Sequence, residues 1–533
     1  MKKNVLVIMC DQLRKDFLGC YGNAYVNTPN IDSIAAEGLT FDQCFVNNPI
    51  CMPNRMSMFT GMYPHNHGMW TNGLMPTQEL PTIADAFKQA GYKTCSIGKL
   101  HFEPTDCFEH SPEGSREDHR VWERKGDDVD WTGPYWGFDH VEFTIGHATK
   151  PIAHYGKWFH ANGGNDDMAK AKSIPPFESC PVTTMPEKLH DSTFIGERCA
   201  QYIKNNTVDG KPFFLVASFP DPHHPFNPPY ETALRYADVV VKTPVAEDDT
   251  LATRPKHYYQ HKMGAWHRAG VIKEIEGMTE KERRQIDETI KMLGDFMKTG
   301  NPTASSLLGG ESSNARGKAS GPISSKERDE RIRNTYAMVD LIDQGVGKIL
   351  SALQEAGLLE DTIILFTSDH GELMGDHGLW LKGPFFYDGL LNVPLIVRIP
   401  GRKTEKTSEL ASTVDIFPTL CELAGIETPR YLDGVPLVDS NGLTGARTKC
   451  LVEYRNGYFQ NDIYSMGIID SKYKFIQYQN GDCELTDRRN DPEELLNTAD
   501  IAGNEKIVSQ YREKLLMTML ETGSKFPNQI CNA

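Results

Sequence analysis

Cys51-Met52-Pro53-Asn54-Arg55, followed at fixed distance by Thr60-Gly61, is the sharpest chemical feature of the chain. A proline two residues after the cysteine suits the first turn of a helix, where its missing N–H costs nothing. Cys51 then stands at a helix N-terminus, where free N–H groups and the dipole favour an anion. Arg55 lies one turn further along the same face and can reach back toward residue 51. Four further groups of side chains can bind metal or move protons: Asp11 with Gln12, Lys99 with His101, His223, and Asp369 with His370. Taken singly, an aspartate in such a place reads more readily as a cap or turn former. Gln12 likewise reads either as a ligand or as a plain helix-start residue. Four groups together are hard to attribute to capping.

Each of these groups follows an apolar run that reads as a strand. Runs at 4–9, 92–97, 213–219, 362–367 and 394–399 alternate with helical patterns at 29–38, 80–90, 191–205, 327–356 and 414–423. Such alternation predicts an α/β fold, a large mostly parallel sheet sandwiched by helices. Open sheets of this class place their ligands beyond the carboxyl ends of the strands. That is where Asp11, Lys99, His223 and Asp369 stand. After about residue 439, short strands at 450–454, 464–469 and 473–478 and a helix at 504–520 predict a smaller antiparallel sheet with one helix. The expected division is a catalytic domain over 1–438 and a C-terminal α+β subdomain over 439–533. Gly, Ser, Asn and Ala dominate 298–326, which reads as a flexible insertion.

The 533 residues carry a formal net charge of −16, with acidic and basic residues interspersed. That surface repels nucleic acid and anionic membranes, so neither is an expected partner. An anionic substrate must therefore be held by positive charge gathered inside a pocket. The 12 cysteines show no CxxC pair or zinc-ligand spacing and read, Cys51 apart, as small buried side chains. The apolar run after Met1 is too short for a signal peptide, and no stretch reaches the length of a membrane span. Taken as it stands, the chain is expected in the cytoplasm; a trimmed leader would make it periplasmic or secreted.

With these residues in view, the chain resembles the formylglycine-dependent sulfatases of the alkaline phosphatase superfamily. The likeness runs from the opening strand with Asp11 through Cys51-x-Pro-x-Arg55 and Gly98-Lys99-Leu100-His101 to Asp221-Pro222-His223-His224-Pro225-Phe226. It continues through Thr367-Ser368-Asp369-His370-Gly371-Glu372, Lys382 and Asp487-Arg488-Arg489-Asn490-Asp491-Pro492. The resemblance implies that Cys51 is converted to formylglycine by a generating or maturase enzyme. It implies a divalent metal on Asp11, Gln12, residue 51, Asp369 and His370. Ca²⁺ is the expected ion, with Mn²⁺ or Mg²⁺ as alternatives, because Gln12 and His370 replace the Asp and Asn of the commoner pattern. The implied roles make a hydroxyl of the formylglycine hydrate the nucleophile and Asp369 the group that takes its proton. His223 is the general acid beside Lys382, His101 the base that releases sulfate, and Lys99 and Arg55 the supporting cations. Asn72 is expected either to bond the sulfate or leaving group, or to be a turn residue before Gly73.

The expected substrate is a sulfate ester, of a sugar by the nearest resemblance. A phosphonate monoester hydrolase or phosphodiesterase is the first alternative, sharing Asp11-Gln12 and Asn72; Lys99-x-His101 speaks for the sulfatase. A glycan-binding relative without activity and a phosphatase using unmodified Ser or Thr are weaker alternatives. Every catalytic position is filled, and Cys51 stands where the nucleophile belongs.

Overall fold

The computed structural model describes residues 2–76, 80–105, 115–125, 130–206, 210–249, 251–258, 262, 323–456 and 463–523. The strands are β1 (Asn4–Cys10), β2 (Leu39–Phe45), β3 (Lys93–Gly98), β4 (His140–Phe143), β5 (Lys172–Ile174), β6 (Phe177–Val182), β7 (Phe213–Phe219), β8 (Thr362–Ser368), β9 (Asn392–Arg398), β10 (Glu405–Ser412), β11 (Cys450–Asn456), β12 (Ile463–Ile469), β13 (Tyr473–Tyr478) and β14 (Cys483–Asp487). The principal helices are α1 (Pro29–Ala36), α2 (Cys51–Thr60), α3 (Ile83–Gln89), α4 (Asp191–Asn206), α5 (Ser325–Glu355), α6 (Ile416–Ala424) and α7 (Glu505–Thr522).

Eight strands form one sheet in the order β10-β2-β9-β8-β1-β7-β3-β4. β1 lies at its middle, parallel to β7 on one side and β8 on the other. Only β9 runs against its neighbours. The apolar run of β1 is continuous because the strand is buried on both faces. Val5, Val7 and Met9 join one core with α3 and α6, whereas Leu6, Ile8 and Cys10 join another with α4 and α5. α4 and α5 cross where Gly196 meets Gly345; a Cβ at Gly196 would lie 2.8 Å from the Gly345 backbone.

A second sheet, β11-β12-β13-β14, is antiparallel throughout. Leu451, Ile468, Phe475 and Leu485 pack there against Val508, Tyr511 and Leu515 of α7. β5 and β6 form a separate hairpin. The α/β class and the small antiparallel sheet with its helix thus stand as expected, with four main-sheet and C-terminal strands added: β2, β4, β10 and β14. Of the expected insertion at 298–326, residues 298–322 lie outside the described residues, and Ser325 and Lys326 already belong to α5. Among the described residues no helix is long and apolar enough to cross a membrane.

Candidate active site

Four parallel strands end at one edge of the large sheet, and the loops beyond them carry the ionisable side chains. After β1, the Asp11 N–H donates to the carbonyls of Phe219 and Asp221 at 3.0 and 3.3 Å, tying it to the end of β7. The next N–H, of Gln12, donates to Asp369 Oδ1 at 3.1 Å, beyond β8. Lys99 follows Gly98, whose φ is +110°; a Cβ there would lie 1.9 Å from the Ser218 carbonyl, so only glycine lets β3 turn there. Neighbouring strands thereby hold Asp11, Lys99 and Asp369 around one point.

Cys51 opens α2, as its motif predicts. The helix is pinned by Asn54, whose Nδ2 donates to the Asp369 carbonyl at 2.6 Å. Its Oδ1 accepts from the Asn47 N–H at 2.9 Å and from Thr413 Oγ1 at 2.7 Å. At the other end Gly61 takes φ +67°, and a Cβ would meet Leu432 Cδ2 at 2.8 Å, which accounts for the terminal glycine of the motif. Asn72 accepts the Met52 N–H on Oδ1 at 3.0 Å. Its oxygen is therefore a cap on the first turn of α2, and its place beside Gly73 is not that of a turn former alone.

Cys51 Sγ lies 2.7 Å from Lys382 Nζ, 3.1 Å from His370 Nε2 and 3.6 Å from Asp11 Oδ1. His370 Nε2 is 3.5 Å from Asp11 and 3.7 Å from Asp369. One donor atom from each of Asp11, Cys51, Asp369 and His370 falls within 4.8 Å of the others, and all four residues are buried. His370 Nδ1–H donates to the Gly371 carbonyl at 2.8 Å, which leaves the Nε2 lone pair facing the group. The Gln12 amide nitrogen donates to Glu372 Oε2, while its buried Oε1 accepts no hydrogen bond among the described residues. A spare carbonyl oxygen, two carboxylates and an imidazole fit a divalent cation.

Charge is concentrated here. Lys99 Nζ lies 2.6 Å from Asp11 Oδ2. Burial pushes the Asp11 carboxyl up, but Lys99, His223, Lys382 and Arg55 outweigh it and hold it well below the usual range. Burial, with Asp11 adding to it, pushes the Cys51 thiol up to about 11 against the pull of Lys382 and Lys99. An unmodified Cys51 is thus a protonated thiol and a poor nucleophile. Arg55 corrects an expectation: among the described hydrogen bonds none joins it to Cys51. It binds Asp369 at 2.6 Å, the Lys99 carbonyl at 2.7 Å and Ser218 Oγ at 3.1 Å, with Asp11 at 3.7 Å. It braces the carboxylates, not the nucleophile.

His223 Nδ1–H donates to the His224 carbonyl at 2.5 Å, and Nε2 lies 2.8 Å from Lys382 Nζ. Burial, then His224 and Lys382, hold His223 well below its ordinary pKa. His101, on a φ of +58°, is buried with no hydrogen-bond partner at Nδ1 among the described residues, and its N–H donates to Glu117. Burial, Lys99 and Arg55 push its pKa well down.

A family model described as Sulfatase matches residues 3–426, and a second, described as N-sulphoglucosamine sulphohydrolase, C-terminal, matches 375–521. The chain belongs to the sulfatase family. It is a sulfuric ester hydrolase with the mixed, mostly parallel sheet of the alkaline phosphatase superfamily. It is 28% identical to the uncharacterized sulfatase YidJ of Escherichia coli over 97% of this chain and 86% of that one. It is 25% identical to an N-acetylglucosamine-6-O-sulfatase of Bacteroides thetaiotaomicron over 98% of this chain and 86% of the other. The solved phosphonate monoester hydrolase of Agrobacterium radiobacter superposes with a TM-score of 0.72 at 25% identity, covering 98% of this chain and 96% of that one.

Two side chains of this sulfatase escaped the sequence reading. Glu372 holds the Gln12 amide and also accepts the Met374 N–H at 3.1 Å. His147 stacks on His223 with ring centroids 4.6 Å apart and planes at 12°, and His224 stacks on His223 in turn at 4.0 Å. Both His147 nitrogens are buried without a hydrogen-bond partner among the described residues. It follows β4, whose four residues are too few to show a strand period in the sequence. Three further histidines, His65, His67 and His377, pair with Glu453, Ser57 and Asp249 respectively.

Proposed function

We propose that this sulfatase hydrolyses a sulfate ester of a sugar, with the hydrate of a formylglycine at position 51 as nucleophile. The observation that carries the reading is the position of Cys51 Sγ, at the start of α2 and within 3.6 Å of Asp11, His370 and Lys382. Sγ marks where an oxygen of the hydrate would stand. A formylglycine-generating or maturase enzyme makes the aldehyde, and water adds to it. A divalent cation on Asp11, Gln12, residue 51, Asp369 and His370, Ca²⁺ before Mn²⁺ or Mg²⁺, would supply Lewis acidity that eases loss of a hydroxyl proton.

Asp369 takes that proton, and the oxygen attacks sulfur as the bond to the leaving alcohol breaks. Lys382 and His223, 2.8 Å apart, deliver a proton to the leaving oxygen. In the free site Lys382 donates toward His223 Nε2, so the pair acts together, and the incoming negative charge favours its protonated form. The sulfated hydrate then expels sulfate as its second hydroxyl loses a proton to His101 and the aldehyde returns. Lys99, the N-terminus of α2 and Lys382 hold the sulfate oxygens, which meets the need of a −16 chain to attract an anion locally. Asn72, fixed by its oxygen on Met52, keeps its amide N–H groups for a ligand.

The sugar rests on the Bacteroides relative named for N-acetylglucosamine-6-O-sulfate. A second reading, phosphonate monoester hydrolysis, is favoured by the Agrobacterium structure. Rates on an aryl sulfate and an aryl phosphonate ester separate the two. The proposal expects a higher kcat/KM on the sulfate, abolished in Cys51→Ala; preference for the phosphonate overturns it.

A further inference from the structure

Asp221, whose carbonyl accepts the Asp11 N–H, carries its own carboxylate into a second buried group that takes no part in the reaction above. It meets His190 and Asp191 at the start of α4. His190 Nδ1 lies 3.1 Å from Asp191 Oδ1, and Nε2 lies 3.6 Å from Asp221 Oδ2. All three side chains are at most 1% exposed. None of the four carboxylate oxygens makes a hydrogen bond of good geometry among the described residues; the buried Ser192 Oγ stands beside Asp221, and the Ser192 N–H donates to His190 Nδ1 at 3.3 Å. No lysine or arginine among the described residues pairs with either carboxylate, and Asp11 adds further negative charge nearby.

Two buried carboxylates without a cationic partner are costly to keep charged unless something neutralises them. Burial pushes Asp191 up to about 7 and Asp221 well above the usual carboxylate range. Either protons or a cation must supply the missing charge. One donor atom from each of His190, Asp191 and Asp221 falls within 4.8 Å of the others, a spacing suited to donors around one ion. The Ser192 hydroxyl, buried beside Asp221, is available as a fourth. A divalent ion would make the group neutral. One imidazole with three oxygens is too few donors for Ca²⁺ and suits Zn²⁺ or Mn²⁺.

We propose that His190, Asp191 and Asp221 form a second divalent-cation site, selective for Zn²⁺ or Mn²⁺ and separate from the reacting centre. Such an ion would clamp the start of α4 to the segment after β7, two residues before His223, and so hold that imidazole in place. The inference does not depend on the chemistry assigned to residue 51.

Metal analysis of the purified full chain, after dialysis and in an Asp369→Asn background that cripples the first site, tests it. About one equivalent of Zn²⁺ or Mn²⁺ per chain is expected there, lost in the added Asp191→Asn/Asp221→Asn pair while circular dichroism stays native. No equivalent in the Asp369→Asn protein, or one that survives the pair, overturns the proposal in favour of shared protons. Should the pair fail to fold, anomalous scattering at the zinc or manganese edge from crystals of the unaltered protein decides instead. A peak between His190, Asp191 and Asp221 supports the site, and its absence there overturns it.

Discussion

The Gln12 amide nitrogen is held by Glu372, with His224 Nδ1 at 3.4 Å, and these contacts decide which way the amide faces. An amide can coordinate only through oxygen, so a carboxylate that captures the nitrogen aims the ligand. Glu372→Ala frees the amide to rotate and is expected to weaken divalent-cation affinity by roughly 10- to 100-fold, measured by titrating metal-free protein. Unchanged affinity would show that Gln12 is not a ligand. Glu372 was quoted in the sequence as part of a motif, yet its role could not be read because its partner lies 360 residues away. Arg55 teaches the same lesson in reverse. Helical spacing points it back at residue 51, whereas carboxylates from β1 and β8 offer a charged partner that spacing cannot reveal. Asp11, Lys99, Asp369 and His370 were legible because each follows a strong apolar strand.

α2 depends on both of its ends, and Gly61 is the more exposed to test. A side chain there meets Leu432 at 2.8 Å and must also adopt a positive φ, so Gly61→Ala is expected to destabilise the fold by about 1–3 kcal/mol in urea unfolding. No measurable loss would mean that Leu432 moves freely and that the glycine of the motif is not sterically required. The strands of the large sheet that were read correctly, β1, β3, β7, β8 and β9, are buried from end to end or nearly so. Those missed are different in kind. β10, Glu-Lys-Thr-Ser-Glu-Leu-Ala-Ser, is polar at six of its eight positions because it forms the edge of the sheet and half of it faces outward. β2 carries Asp42 and Gln43 where its pairing with β9 and β10 shifts register. β4 has four residues and β14 five, too few for a period to declare itself.

Across the molecule, buried histidines couple stability to acid. Burial, with His65 adding to it, pushes His67 down to about 3, well below the value of about 6.5 expected when unfolded. Below pH ~6.5 the unfolded chain therefore takes up a proton that the folded chain refuses, so the contribution of His67 is present at neutral pH and lost as pH falls. Comparing urea stability of the unaltered protein and His67→Gln at pH 7 and pH 5 should show the gap shrinking by about 2 kcal/mol. A constant gap would mean that His67 titrates normally. The negative surface and the cationic pocket belong to the same scale: Lys99, Arg55 and Lys382 gather inside a chain of net charge −16. That contrast was legible from composition and motif together, although the pairing of each cation required the fold. All of this positions residue 51, so the chemical state of that residue tests the account most directly. After expression with a formylglycine-generating enzyme, the peptide spanning Cys51 should be about 18 Da lighter than its cysteine form, with sulfatase activity rising in step with the converted fraction. Full sulfatase activity from protein whose residue 51 keeps the mass of cysteine would contradict it.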